Sequence, residues 1–155
     1  MIKIIETKDY ILLAELNEEI QTFHHKTVPT IFKPYDKAAV STFFKNTLEN
    51  ENTVVFLAEE NGVAVGYVLL FVMSMNETPF QYSRDYILLD QILVVRNYQS
   101  KGVGRQLMDA VFSFAKAHRI DRVELNHWTE NESARKFFGK SGFEYYKEKM
   151  WKLVE

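Results

Sequence analysis

The chain has no cysteine among its 155 residues, which excludes disulfides, thiolate zinc sites and a cysteine nucleophile and fits a reducing compartment. It lacks any apolar run close to the ~20 residues a membrane-spanning helix needs. The opening also reaches Glu6 and Asp9 too soon for the apolar core of a secretory leader. A cytoplasmic protein with no membrane partner is the expectation. Charge of one sign is not in excess either: 19 Lys and Arg stand against 21 Asp and Glu, for a net charge of −2. That balance argues against a general nucleic-acid surface, while a local basic patch at Arg96, Lys101 and Arg105 suits a small polyanion. Repeats, low-complexity segments and linkers are missing, so one domain is expected, of a size that buries roughly two-thirds of its unfolded surface. No H-E-x-x-H spacing offers a metal site, and His24 and His25 are adjacent and diverge on any regular element. No G-x-S-x-G elbow supports a serine nucleophile. No metal is expected.

What is present alternates strand and helix signals. Residues 1–6 read as an apolar-rich strand, and Thr7 as the cap of a helix that carries Tyr10, Leu13, Leu16, Ile20 and Phe23 at helical spacing and ends near His24. A loop with Pro29 and Pro34 follows, then a helix capped by Asp36 and running to about Leu48. Asn61-Gly62 between residues 53–59 and 63–73 is a two-residue hairpin signal. Residues 86–95 form a long strand, 102–118 a helix with Val103, Leu107, Val111 and Phe114 on one stripe, and 122–126 a short strand. Thr129 and Glu132 offer a capping box for the next helix, which Gly142 ends, and strands at 144–146 and 149–154 are expected to complete the sheet. Strands mixed with helices on both faces make a single α/β sheet domain.

The stretch L-V-V-R-N-Y-Q-S-K-G-V-G-R-Q-L, from Leu93 to Leu107, reads as a buried strand entering a glycine loop and then a helix. Backbone N–H groups of such a turn converge on one concavity, and the unpaired N–H groups and dipole of the helix add positive charge there. Gly102 and Gly104 let an anion approach the backbone, and Lys101, Arg105 and Arg96 supply mobile charge around it. An ordinary loop before a helix is the competing reading. A dinucleotide fingerprint fits poorly, because the glycines come late and the third is missing.

A second block, N-E-S-A-R-K-F-F-G-K-S-G-F, runs from Asn131 to Phe143. Taken with Gln99, Gly102 and Gly104 after the apolar Ile92, Leu93 and Val94, it resembles the GNAT superfamily of acetyl-CoA-dependent N-acetyltransferases. The resemblance implies a mostly antiparallel, splayed sheet with helices on both faces, and direct transfer of an acetyl group from acetyl-CoA, a co-substrate, to an amine. It places the pyrophosphate on the backbone of Gln99, Ser100, Lys101, Gly102, Val103, Gly104 and Arg105, and the pantetheine arm along the edge of Ile92, Leu93 and Val94. The N–H of Val94 is then the candidate to polarise the thioester carbonyl.

An amine must lose a proton before it attacks, since lysine's pKa is about 10.4. Asp90 interrupts an apolar strand and, by period-two geometry, shares a face with Ile92 and Val94 unless a bulge intervenes. The resemblance makes it a base; the alternatives are a structural hydrogen bond or a cation contact. Phe138 departs from the pattern, because many relatives carry a Tyr there whose hydroxyl protonates the leaving thiolate. His127, Tyr145 and Tyr146 are the candidate replacements, with water the remaining donor; His127 is otherwise a packing residue. Asn131 matches a pantetheine-binding position and would also serve as a helix cap. The acceptor site is implied to be roofed by residues 24–35 and 76–84, with His24, Phe32, Phe80, Tyr82 and Trp128 as walls. Dimers are common in the family, so a homodimer is one expectation. A non-catalytic acyl-CoA-binding or regulatory module is the rival to an enzyme, motivated by Phe138.

Overall fold

The computed structural model describes residues 1–154, and its sheet grows outward in chain order. β1 (Ile2–Glu6), β2 (Thr53–Glu60), β3 (Val63–Met75) and β4 (Arg84–Val94) pair antiparallel, while β5 (Val123–Leu125) lies parallel to β4. The β2–β3 hairpin closes through Asn61 and Gly62 at φ 53° and 80°. A left-handed pair of this kind matches the twist of the flanking strands.

Alternation along the strands divides the core in two. Val54, Val68, Leu70, Ile87 and Leu89 face α3 (Val103–Ala117) and Phe138 of α4 (Glu132–Lys140). Val55, Leu57, Tyr67, Leu69 and Leu93 face α1 (Tyr10–Thr27) and α2 (Lys37–Leu48). Side chains buried this fully are worth about 1.5–3 kcal/mol each. The helices therefore cover both faces, as the alternating pattern predicts.

Helix ends differ from the sequence reading where a polar side chain lost a competition. α1 is capped by Asp9, whose Oδ1 accepts the Leu12 N–H at 3.0 Å, while Thr7 accepts from the Asp9 N–H; the helix continues past His24 to Thr27. α4 is capped by Asn131, which accepts the Ala134 N–H at 3.0 Å, and Thr129 turns instead to Glu130. The helix then closes by paired bonds, Gly142 to Gly139 and Phe143 to Phe138, with Gly142 at φ 87° and the Phe143 ring against Phe138. The two closing strands do not form among the described residues: 143–154 contain no strand. β5 offers a ladder of only three residues, and Tyr145 and Tyr146 attach to this side of the sheet through their hydroxyls, on His127 and Glu124.

Candidate active site

The edge of β4 is where the sheet opens. β5 meets β4 at Ile87, Leu88 and Leu89, and among the described residues nothing pairs with β4 beyond that point on this side. The Val95 N–H donates to Val65 at 3.0 Å, and Val94 stands opposite Gly66. Antiparallel bonding alternates, so the N–H groups of Ile92 and Val94 turn away from β3 and into the gap. The bare Cα of Gly66 permits this register, because a Cβ there would lie 2.5 Å from the Leu93 carbonyl. The side chains of Ile92 and Val94 pack on the α3 face, and Leu93 is buried on the other.

The loop after β4 makes one turn of 3₁₀ helix (Arg96–Tyr98) and then two left-handed steps, Ser100 at φ 61° and Gly102 at φ 82°. The first bond of α3 runs from the Gln106 N–H to Gly102. The N–H groups of Val103, Gly104 and Arg105 therefore stand free at the positive end of the helix. Gln99 departs from its expected role: its N–H is spent on the Arg96 carbonyl, and its Nε2 holds the Val94 carbonyl at 3.0 Å. It ties the loop after β4 to the strand edge. Lys101 lies over the Tyr98 ring at 5.0 Å. Gly104 packs closely, since a Cβ there would sit 3.1 Å from the Phe137 ring. Phe137 thus abuts the loop.

Beside this loop a cavity of about 490 Å³ opens between α3 and α4, lined by Arg105, Met108, Phe112, Phe137 and Lys140 among others. A second, shallower groove of about 710 Å³ lies on the opposite face between α1 and the 95–99 loop, where Glu15, Glu18 and Glu19 meet Phe23 and Arg96.

Asp90 sits at a bulge. Leu69 pairs with Gln91 and Leu70 with Leu89, which leaves Asp90 without a partner on β3. The extra residue reverses the alternation, so Asp90 does not share a face with Ile92 and Val94; it joins Gln91 on the side of α1 and Tyr67. Asp90 is exposed to solvent, and partial desolvation on that side raises its carboxyl above its ordinary value, with the adjacent Gln91 side chain offsetting part of the rise.

Across the gap, His127 follows β5 and bonds twice. Its Nδ1 lies 3.1 Å from the Trp128 carbonyl and its Nε2 lies 2.7 Å from the Tyr145 hydroxyl. A carbonyl only accepts, so Nδ1 carries a proton; Nε2 accepts from Tyr145 in the neutral ring and donates to its oxygen in the imidazolium. Arg135 Nε approaches the same hydroxyl at 3.4 Å, and the His127 ring stacks at 6.3 Å on Phe138. The oxygen of Asn131 is committed to its helix cap, which leaves its amide N–H groups for a ligand.

Of the expected acceptor walls, three come together: His24 stacks on Phe32 at 4.7 Å, and Phe32 meets Trp128 edge-on at 5.2 Å. Burial lowers the His24 pKa. Phe80 and Tyr82 do not join them; both are almost fully exposed on the β3–β4 connection. Sequence reasoning missed Asn17, Tyr67 and Gln91, a hydrogen-bonded polar cluster where α1 meets β3 and β4. A polar residue on the apolar stripe of α1, and Gln91 beside Asp90 in an apolar strand, were the available signals. Among the described residues no three His, Asp or Glu side chains form a metal site, and no helix is long and apolar enough to cross a membrane.

The profile of the Acetyltransferase (GNAT) family matches residues 13–143. An uncharacterized N-acetyltransferase of Bacillus subtilis, YhfO, is 27% identical over 139 residues, spanning 90% of this chain and 86% of that protein. The fold of a tetramutant of the BH1408 protein from Bacillus halodurans superposes with a TM-score of 0.90 at 22% identity, covering 99% of both chains. The aminoglycoside N-acetyltransferase AAC(6′)-Iy, solved with CoA, superposes at 0.73 with 18% identity, covering 99% of this chain and 95% of that one.

Proposed function

Because this chain belongs to the GNAT acetyltransferase family, we propose that it transfers the acetyl group of acetyl-CoA directly to a primary amine. The observation that carries the reading is the coincidence, at one end of β4, of an unpaired strand edge and three free helix N–H groups. An extended acyl-pantetheine finds strand-like partners at Ile92 and Val94, and its pyrophosphate finds Val103, Gly104 and Arg105. The cavity beside α3, with Arg105 and Lys140 at its margin, takes the nucleotide end.

The chemistry then divides among this chain's residues. Asp90, its pKa raised, accepts the ammonium proton directly or through water. The freed amine nitrogen attacks the thioester carbon, and the carbonyl oxygen gains charge beside the Val94 N–H. As the C–S bond breaks, the sulfur leaves as a thiolate and takes the proton of Tyr145, which the imidazolium form of His127 replaces from Nε2. The Tyr145 hydroxyl stands on the Phe138 side of the gap, supporting a donor moved to another position. The amine arrives from the α1 face, along the wall of His24, Phe32 and Trp128.

The test is thiol release from acetyl-CoA across an amine panel, with mass detection of the acetylated product and an acceptor-free control. Acceptor-dependent release together with acetylated amine supports the proposal. Tight CoA binding without turnover on any amine establishes the non-catalytic module instead.

A further inference from the structure

The loop between α1 and α2 is held by side chains. Among the described residues, the backbone N–H and carbonyl groups of 28–35 bond one another and the last turn of α1, with no backbone bond to the sheet. Three side-chain bonds supply the hold. Gln21 Nε2 donates to the Lys33 carbonyl at 2.7 Å, His25 Nδ1 lies 2.7 Å from the Phe32 carbonyl, and the Tyr35 hydroxyl donates to the Ala14 carbonyl at 2.7 Å.

Gln21 and His25 stand four residues apart on α1, so they share the face that meets the returning loop. A carbonyl only accepts, so the Gln21 amide must present its NH₂ and His25 must carry a proton on Nδ1, in the neutral ring and the imidazolium alike. Each bond thus has one polarity. The Phe32 N–H donates to the Val28 carbonyl at 3.0 Å while its own carbonyl is taken by His25, which fixes the backbone on both sides of its Cα. The ring is placed accordingly, stacked on His24 at 4.7 Å and edge-on to Trp128 at 5.2 Å. Trp128 lies in the segment between β5 and α4, so Phe32 joins the α1 side of the domain to the β5 side.

We propose that Gln21 and His25 are positioning residues for the acceptor amine, strapping residues 32–33 onto α1 so that His24, Phe32 and Trp128 form one continuous wall. The strap stands on its own geometry; its role in recognition rests on the reading that this wall receives the amine. A wall assembled before the ligand arrives spares the cost of ordering it on binding. Loss of the strap therefore belongs in the KM for the amine.

The strap is read by the fluorescence of Trp128 in a Trp151→Phe background, since the chain has two tryptophans and Trp151 is exposed. Its role is read by steady-state kinetics on the best amine of the panel. His25→Leu should shift Trp128 emission to the red and raise the amine KM about fivefold, with kcat and acetyl-CoA KM unchanged. His25→Asn returns an N–H donor to the δ position and should restore both readings. In a Phe32→Ala background, His25→Leu should add little to the amine KM, because it acts through that ring. If His25→Leu does not fold, Gln21→Met, which removes the other donor, decides in its place. Unmoved Trp128 emission in the folded variant overturns the strap. Moved emission with an unmoved amine KM overturns the role in recognition. If no amine is acetylated by the wild type, the proposed function fails, and the emission still judges the strap.

Discussion

The Tyr145 hydroxyl lies 2.7 Å from Nε2 of His127, joining a residue beyond the last helix to the end of β5. Phe138 stacks on that imidazole with ring centroids 6.3 Å apart. A hydroxyl absent from α4 is thus present within one ring of it.

That geometry makes Tyr145→Phe informative. If the pair supplies the thiolate's proton, kcat should fall by on the order of 10²-fold, the size of a positioned general acid, with CoA affinity held. His127→Ala should match it, and the double variant should lose little more, because the two act as one unit. Steady-state kinetics with calorimetric CoA titration checks this. A loss below tenfold in both assigns the proton to water.

Asp90→Asn should divide activity from stability. It should lower kcat/KM, most at low pH where free amine is scarcest. Its raised folded-state pKa means that Asp90 favours folding below the ordinary carboxylate value, near 3.8, and that this contribution is lost as pH rises through the folded pKa. Replacing the carboxylate should therefore raise Tm at neutral pH, by a margin that shrinks towards pH 3.8 and below. Thermal unfolding across that range reads the sign.

Two glycines of the proposed phosphate loop should fail for different reasons. Gly102→Ala meets no neighbour within 4 Å but must hold φ 82°, a strain of about 1 kcal/mol. It should weaken CoA binding modestly in a folded protein. Gly104→Val also drives its side chain into Phe137, and should lower Tm and cost more than tenfold in CoA affinity. Unchanged affinity in folded Gly104→Val would remove the loop from the binding site.

His24 should be a source of acid sensitivity. Burial against Phe32 lowers its pKa below 6.5, so its contribution is complete above 6.5 and is lost as pH falls through the folded value. His24→Phe should flatten the decline in Tm on acidification from pH 6.5. An unaltered slope would place the sensitivity elsewhere.

The order of elements, the Asn61-Gly62 hairpin and the helix after Gly102 were legible because each rests on local pattern or backbone freedom. The orientation of Asp90 was not. A bulge is defined against the partner strand, and residues 84–94 look the same with or without it. Gln99 was hidden for a similar reason, since its bond to the Val94 carbonyl depends on the loop's path. Thr129 and Asn131 are both good caps, and only the turn between them selects one. The missing terminal strands show the limit of period-two reading: residues 144–154 carry strand-like alternation, but β5 spans only three residues.

The short β4–β5 ladder has a mechanical consequence. Among the described residues, three residue pairs and the α3 connection are the backbone links that stitch β5 and α4 to the rest of the sheet. A ligand lying in the gap would act as the absent rungs, bonded to β4 on one side and to the Asn131 region on the other. Binding would then tighten the domain along a seam, and slowed amide exchange in residues 123–138 should be its signature.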